Sequence, residues 1–123
     1  MSSDVRDYRD LLVWQQAMEL ALICEEVVAQ LPRDQWKLTS QIRRASNSVH
    51  ANIAEGNGSF STASYLKRLS DSNGSLRELE SHLYFVLRRY GESQPVNRAR
   101  AQSRRVAMLL AGLVKSLRRR LKG

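Results

Sequence analysis

Four stretches of this chain place apolar residues at alternating intervals of three and four, and that rhythm restricts the fold more than any other feature. The first stretch reads Trp14, Ala17, Ala21, Cys24, Val28, Leu31. The second reads Leu38, Ile42, Ala45, Val49 and then Asn52. The third reads Thr62, Tyr65, Leu69, Ser72, Leu76, Leu79, Leu83, Val86, Tyr90. The fourth reads Val96, Ala99, Ser103, Val106, Leu110, Leu113, Leu117. Each set forms one stripe along an α-helix, and an apolar stripe has to be buried against another element. Strand-like alternation is nowhere sustained long enough to compete. The spacing predicts an all-α fold, an antiparallel up-down four-helix bundle with shallow crossing angles. Its helices are expected at about 10–31, 35–55, 61–90 and 95–121, with residues 1–123 forming a single domain.

Three breaks separate the stripes. At Leu31-Pro32-Arg33-Asp34, Pro32 ends one helix and Asp34 is placed to cap the next. Gly56-Asn57-Gly58-Ser59 reads as a glycine-rich turn. In Gly91-Glu92-Ser93-Gln94-Pro95, Gly91 is a C-terminal stop and Pro95 a first-turn residue. Short breaks make sequential helices antiparallel neighbours.

Several helices carry more apolar residues than one stripe needs. The first adds Val13, Leu20 and Val27, together with Leu22 and Ile23. The third is apolar nearly all round at Leu83-Tyr84-Phe85-Val86-Leu87, and the fourth adds Ala107, Val114 and Leu121. A second apolar face has to be covered, so these residues predict contact with further copies of the chain.

Charge gives the first indication of a partner. Twenty Lys and Arg stand against twelve Asp and Glu, for a formal net charge of +8. The excess is concentrated: after Glu92 no acid remains, yet Arg98, Arg100, Arg104, Arg105, Lys115, Arg118, Arg119, Arg120 and Lys122 follow. A cationic helix end complements the helix dipole, but that benefit saturates within a turn and does not require three consecutive arginines. Such a segment suits a polyanion, and nucleic acid fits better than a membrane surface because the core already claims the apolar side of this helix. No aromatic stands out as free for base stacking, which favours duplex or structured RNA over single strands. No apolar run approaches the ~20 residues of a membrane span, and Met1 to Asp10 offers no signal-peptide core. The expected compartment is the cytoplasm.

Chemistry-bearing constellations are scarce. Cys24 is the sole cysteine and lies mid-stripe, so it reads as an inert core residue. His50 and His82 lack companions at metal-ligand spacing, and no metal or cofactor is expected. Glu78 and Glu80 are two apart and cannot share a helix face, which argues against paired-carboxylate chemistry. The glycine-rich turn lacks the following Gly-Lys-Ser/Thr of a phosphate loop. No enzymatic activity is expected.

The second helix is the most unusual. Asn52 falls on its stripe and needs partners for its amide, with Glu55, Asn73, Glu80 and one of Arg43 or Arg44 as candidates. This set reads either as a polar cluster fixing helix register or as a contact for a ligand. Three functional readings follow. The first is a nucleic-acid-associated oligomer contacting its partner through Arg43, Arg44, Arg98, Arg104, Arg105, Lys115, Arg118, Arg119, Arg120 and Lys122. The second is a scaffold that docks an acidic protein, and the third a structural oligomer whose charge serves solubility.

The run Leu38-Thr39-Ser40-Gln41-Ile42-Arg43-Arg44-Ala45, followed by Asn52-Ile53-Ala54-Glu55-Gly56, resembles the signature of a bacterial four-helix bundle family. These proteins are encoded in intervening sequences of large-subunit ribosomal RNA genes. The resemblance extends to Leu12-Val13-Trp14-Gln15 and to Gly74-Ser75-Leu76-Arg77-Glu78-Leu79-Glu80. It implies a ring-like, often pentameric, assembly. It also implies kinship with the accessory variability determinant of diversity-generating retroelements, which binds a reverse transcriptase and nucleic acid through basic surfaces. This chain departs from the pattern at His50, where the family often has proline. Asn57-Gly58-Ser59 likewise replaces an aromatic-Gly-Arg.

Overall fold

Helices form wherever a stripe is present, and their ends follow local backbone chemistry. A computed structural model describes residues 7–122. A 3-10 turn, Tyr8–Asp10, precedes α1, Leu12–Ala29; a second 3-10 turn, Arg33–Gln35, leads into α2, Trp36–Asn57. After these come α3, Thr62–Tyr90, and α4, Gln94–Lys122, and no strand occurs among the described residues. The first six residues of the charged N-terminal segment, and Gly123, lie outside the described residues.

Asp34 does not cap α2 as expected. It sits within the 3-10 turn, where Gln35 N–H donates to the Pro32 carbonyl at 2.9 Å, and α2 starts without a side-chain cap. The tighter turn satisfies a backbone donor directly and feeds the chain straight into the helix. The Gly56-Asn57 pair is also not a turn, because α2 continues through both residues. Gly56 is instead a packing residue: a Cβ there would lie 2.8 Å from Tyr65 Cδ1 and 3.1 Å from Arg68 Cβ. The chain reverses between Gly58 and Ser61, and the Ser61 hydroxyl accepts from Ser64 N–H to cap α3. At the third break the expectation holds. Gly91 takes φ +88°, donates to the Leu87 carbonyl and closes α3, and Pro95 falls in the first turn of α4.

Each helix packs on two others, in the circuit α1–α2–α3–α4–α1, with no diagonal pairing among the described residues. Partner numbers show the directions. Along α2, Arg44, Ser48, Val49, Glu55 and Asn57 meet Glu78, Ser75, Ser72, Arg68 and Tyr65 of α3 in descending order. Gln16 and Glu26 of α1 meet Gln102 and Arg98 of α4, again reversed.

This circuit explains the surplus apolar residues. A helix with neighbours on two sides needs two buried rows, and Val13, Leu20, Ile23 and Val27 join Ala17, Ala21, Cys24 and Val28 inside the chain's own core. They therefore do not face another copy. Leu83 and Val86 are likewise buried, whereas Leu87, Ala107 and Val114 are partly buried against the core. Apolar side chains that remain exposed include Leu12, Leu22, Tyr84, Phe85, Met108 and Leu121. The α2 stripe also differs from expectation. After Val49 it steps by four to Ile53, which is fully buried, and Asn52 is only half-buried. No helix among the described residues is long and apolar enough to cross a membrane.

Candidate nucleic-acid interface

The basic residues predicted to act together fall into separate groups. On α2, Arg43 forms a forked pair with Glu25 of α1, its Nε and Nη2 donating to the carboxylate at 3.0–3.2 Å. This bond holds the Arg43 guanidinium above its ordinary pKa. Arg44 donates from Nη2 to Glu78 Oε2 at 2.6 Å, and His82 Nε2 lies 3.3 Å from the same oxygen. Desolvation alone would raise the Glu78 carboxyl, but the hydrogen bonds from Arg44 and His82 outweigh it and hold the group below its usual range. Both α2 arginines thus join adjacent helices.

The α4 set divides along the helix. Arg98 pairs with Glu26 of α1 at 3.0 Å. Arg105 Nε donates to Gln16 Oε1 at 3.0 Å, beside a bond from Gln102 to the same atom. Arg104 and Arg100 border a cavity between α3 and α4. Farther on, Lys115, Arg118, Arg119 and Lys122 line a shallow groove of about 500 Å³ with Ala111 and Val114, and Arg120 is exposed in the same turns. Among the described residues, no carboxylate pairs with any of these last five cations.

Asn52, Glu55, Asn73 and Glu80 do not assemble into one network. The Asn52 amide donates within α2, to the Ser48 carbonyl at 2.9 Å and to Ser48 Oγ at 3.0 Å. Glu55 pairs with Arg68 and Glu80 with Arg77, while Asn73 is exposed beside a groove between α3 and α4. The cause is the four-residue step to Ile53, which turns Asn52 off the seam. A different polar line joins α2 to α3: Ser72 Oγ donates to the buried Val49 carbonyl at 2.8 Å, and Ser75 Oγ to Ser48 Oγ at 2.8 Å. Ser72 on the α3 stripe, with Ser75 one turn on, is the sequence signal for this line.

Exposed aromatics, not expected from the pattern, are present at Trp36, Phe60, Tyr84 and Phe85. Phe60 projects fully into solvent from the α2–α3 turn, beside Lys67 and Arg68. His50 is half-buried, and desolvation pushes its imidazole below the usual value. Burial pushes the Cys24 thiol up to about 12, which keeps it protonated.

These features define a class: an all-helical protein in which one helix ends in an exposed basic segment. The chain belongs to the family of 23S rRNA-intervening sequence proteins, whose model matches residues 9–112. A similar fold occurs in the crystal structure of a protein of unknown function from the S23 ribosomal protein family of Bacteroides thetaiotaomicron. That likeness has a TM-score of 0.76 at 22% identity and covers 85% of this chain and 99% of that one. No curated protein matches this chain.

Proposed function

We propose that this chain is a non-enzymatic, cytoplasmic subunit of a homo-oligomeric ring, built from an up-down four-helix bundle, that binds nucleic acid through the end of α4. The observation that carries this reading is the exposed set Lys115, Arg118, Arg119, Arg120 and Lys122 within the last turns of one helix, none of them paired with a carboxylate among the described residues. Arg43, Arg44 and Arg98 drop out of the contact set, because each is already neutralised by a glutamate on a neighbouring helix. Contacts from the remaining cations fall on phosphates, which makes binding salt-sensitive and largely indifferent to sequence. Exposed Leu12, Leu22, Phe85 and Met108 supply apolar area for contacts between copies, and five is the number that the family resemblance implies. A ring repeats the basic segment and raises avidity for a polyanion without any new contact.

Titration of RNA and of duplex DNA into the purified protein at two salt concentrations tests the reading. Affinity falling steeply with salt supports it, whereas absent or salt-independent binding refutes it. Phe60 favours a second reading, in which the α2–α3 turn docks a protein such as a reverse transcriptase or an acidic partner. Recovery of a protein partner after nuclease treatment, with no nucleic-acid shift, selects that reading.

A further inference from the structure

We propose that the cleft between α3 and α4 bounded by Tyr84, Arg100, Ser103 and Arg104 is a binding site for a single phosphate group. It encloses about 280 Å³ and is also lined by Glu80 and Leu83. Two independent observations point to a ligand there.

The first is an unsatisfied hydroxyl. Ser103 is 1% exposed, and its Oγ is a buried side-chain atom without a hydrogen-bond partner. A helical serine ordinarily returns its hydroxyl to the carbonyl one turn back. Here the hydroxyl has no such partner, and Ser103 borders the cleft. Buried polar groups are nearly always satisfied, so an orphan of this kind calls for a partner from outside the chain.

The second is a convergence of like charges. The Arg100 guanidinium lies 5.8 Å from the centre of the Tyr84 ring, and that of Arg88 lies 5.9 Å from the same ring. Arg88 also donates to the Tyr84 hydroxyl at 3.4 Å. Arg104 stands one helical turn beyond Arg100. Among the described residues no carboxylate pairs with Arg88, Arg100 or Arg104. Glu80, the one acid lining the cleft, has its carboxylate 3.8 Å from Arg77. Two guanidiniums thus flank one phenol, and Arg104 lines the cleft beside them with a single carboxylate nearby.

The donor set selects the ligand. Two arginines and a hydroxyl offer N–H and O–H donors to one small volume, and a tetrahedral oxyanion has enough oxygens to accept from all of them. Leu83 supplies one apolar wall. The phosphate is either free or carried on a polynucleotide. At about 1.5 Å of rise per residue, Arg104 lies about 21 Å from Arg118 along α4, so the site does not depend on the basic end of that helix.

The test is calorimetric titration with inorganic phosphate at constant ionic strength, together with thermal melting in phosphate and in chloride. The wild type should give saturable heat and a phosphate-specific rise in melting temperature, and R100Q/R104Q should lose both. S103A should weaken phosphate binding roughly fivefold, the loss of one ordinary hydrogen bond. R118Q/R119Q/R120Q should leave the phosphate response intact, whether or not that variant still binds nucleic acid. RNA titration of R100Q/R104Q identifies the source: weakened binding indicates a backbone phosphate, unchanged binding a free one. The absence of phosphate heat in the wild type, or an equal melting shift in R100Q/R104Q, overturns the proposal.

Discussion

Tyr65 of α3 lies against Gly56 of α2 so closely that its Cδ1 would be 2.8 Å from a Cβ on the glycine. The two helices meet here with no room for a methyl group, and the Tyr65 hydroxyl accepts from the Asn57 amide at 3.4 Å in the same corner. Gly56→Ala should therefore destabilise the protein by about 1–3 kcal/mol, the usual cost of overpacking. Gly58 is the control. A Cβ there would come no closer than 3.7 Å to the backbone oxygens of Glu55 and Ala54, and its φ is negative. Urea denaturation of G56A and G58A measures the difference, and equal midpoints would show that the close approach is unimportant.

The α2 stripe runs through Ile53, with Asn52 beside it. Ile53→Ala should cost about 2–5 kcal/mol, as expected for emptying a fully buried site. Asn52→Ala loses only bonds within its own helix and should cost about 1 kcal/mol or less. Chemical denaturation of the two variants ranks them, and the reverse order would put Asn52 back on the seam.

Arg44 and Glu78 bind at 2.6 Å, but their side chains are 64% and 37% exposed, so solvent screens the pair. A double-mutant cycle should return a coupling of about 0.2–1 kcal/mol. The Glu78 carboxyl titrates below its unfolded value, so the folded state favours the ionised form. Its contribution is present above about pH 4.5 and fades as pH falls through the folded value. The coupling should accordingly be present at pH 7 and shrink in strong acid, and a pH-independent coupling would contradict the assignment.

His50 gives a second pH dependence. Burial lowers its pKa below 6.5, so on acidification the unfolded chain takes up the proton first. Stability should fall as pH drops from 6.5, and His50→Gln should flatten that part of the profile. Denaturation midpoints between pH 7.5 and 5 measure it. An unchanged slope in the variant would assign the dependence to another group.

The stripes made the four helices legible, because a buried row of one helix leaves a period of three and four in the sequence. Gly91 and Pro95 were equally readable, since each has a backbone property that other residues lack. Gly56 was not readable as a packing residue, because a glycine near a helix end looks the same whether it turns the chain or admits a neighbour. The surplus row on α1 was misassigned for a related reason. Periodicity shows that Val13, Leu20 and Val27 share a face, but not whether the same chain or another copy covers it. The basic set looked uniform because sequence does not reveal that Glu25, Glu26 and Glu78 come opposite Arg43, Arg98 and Arg44.

That division of the arginines makes the central claim testable. The salt dependence of duplex DNA binding should be compared for the wild type, R43Q/R44Q and R118Q/R119Q/R120Q, after each variant is shown to fold. Each lost phosphate contact lowers the slope of log affinity against log salt by about 0.9. The α4 variant should therefore bind more weakly, with a slope shallower by up to about 2.7, and R43Q/R44Q should match the wild type. Unchanged binding by R118Q/R119Q/R120Q, or its loss in R43Q/R44Q alone, would contradict the account.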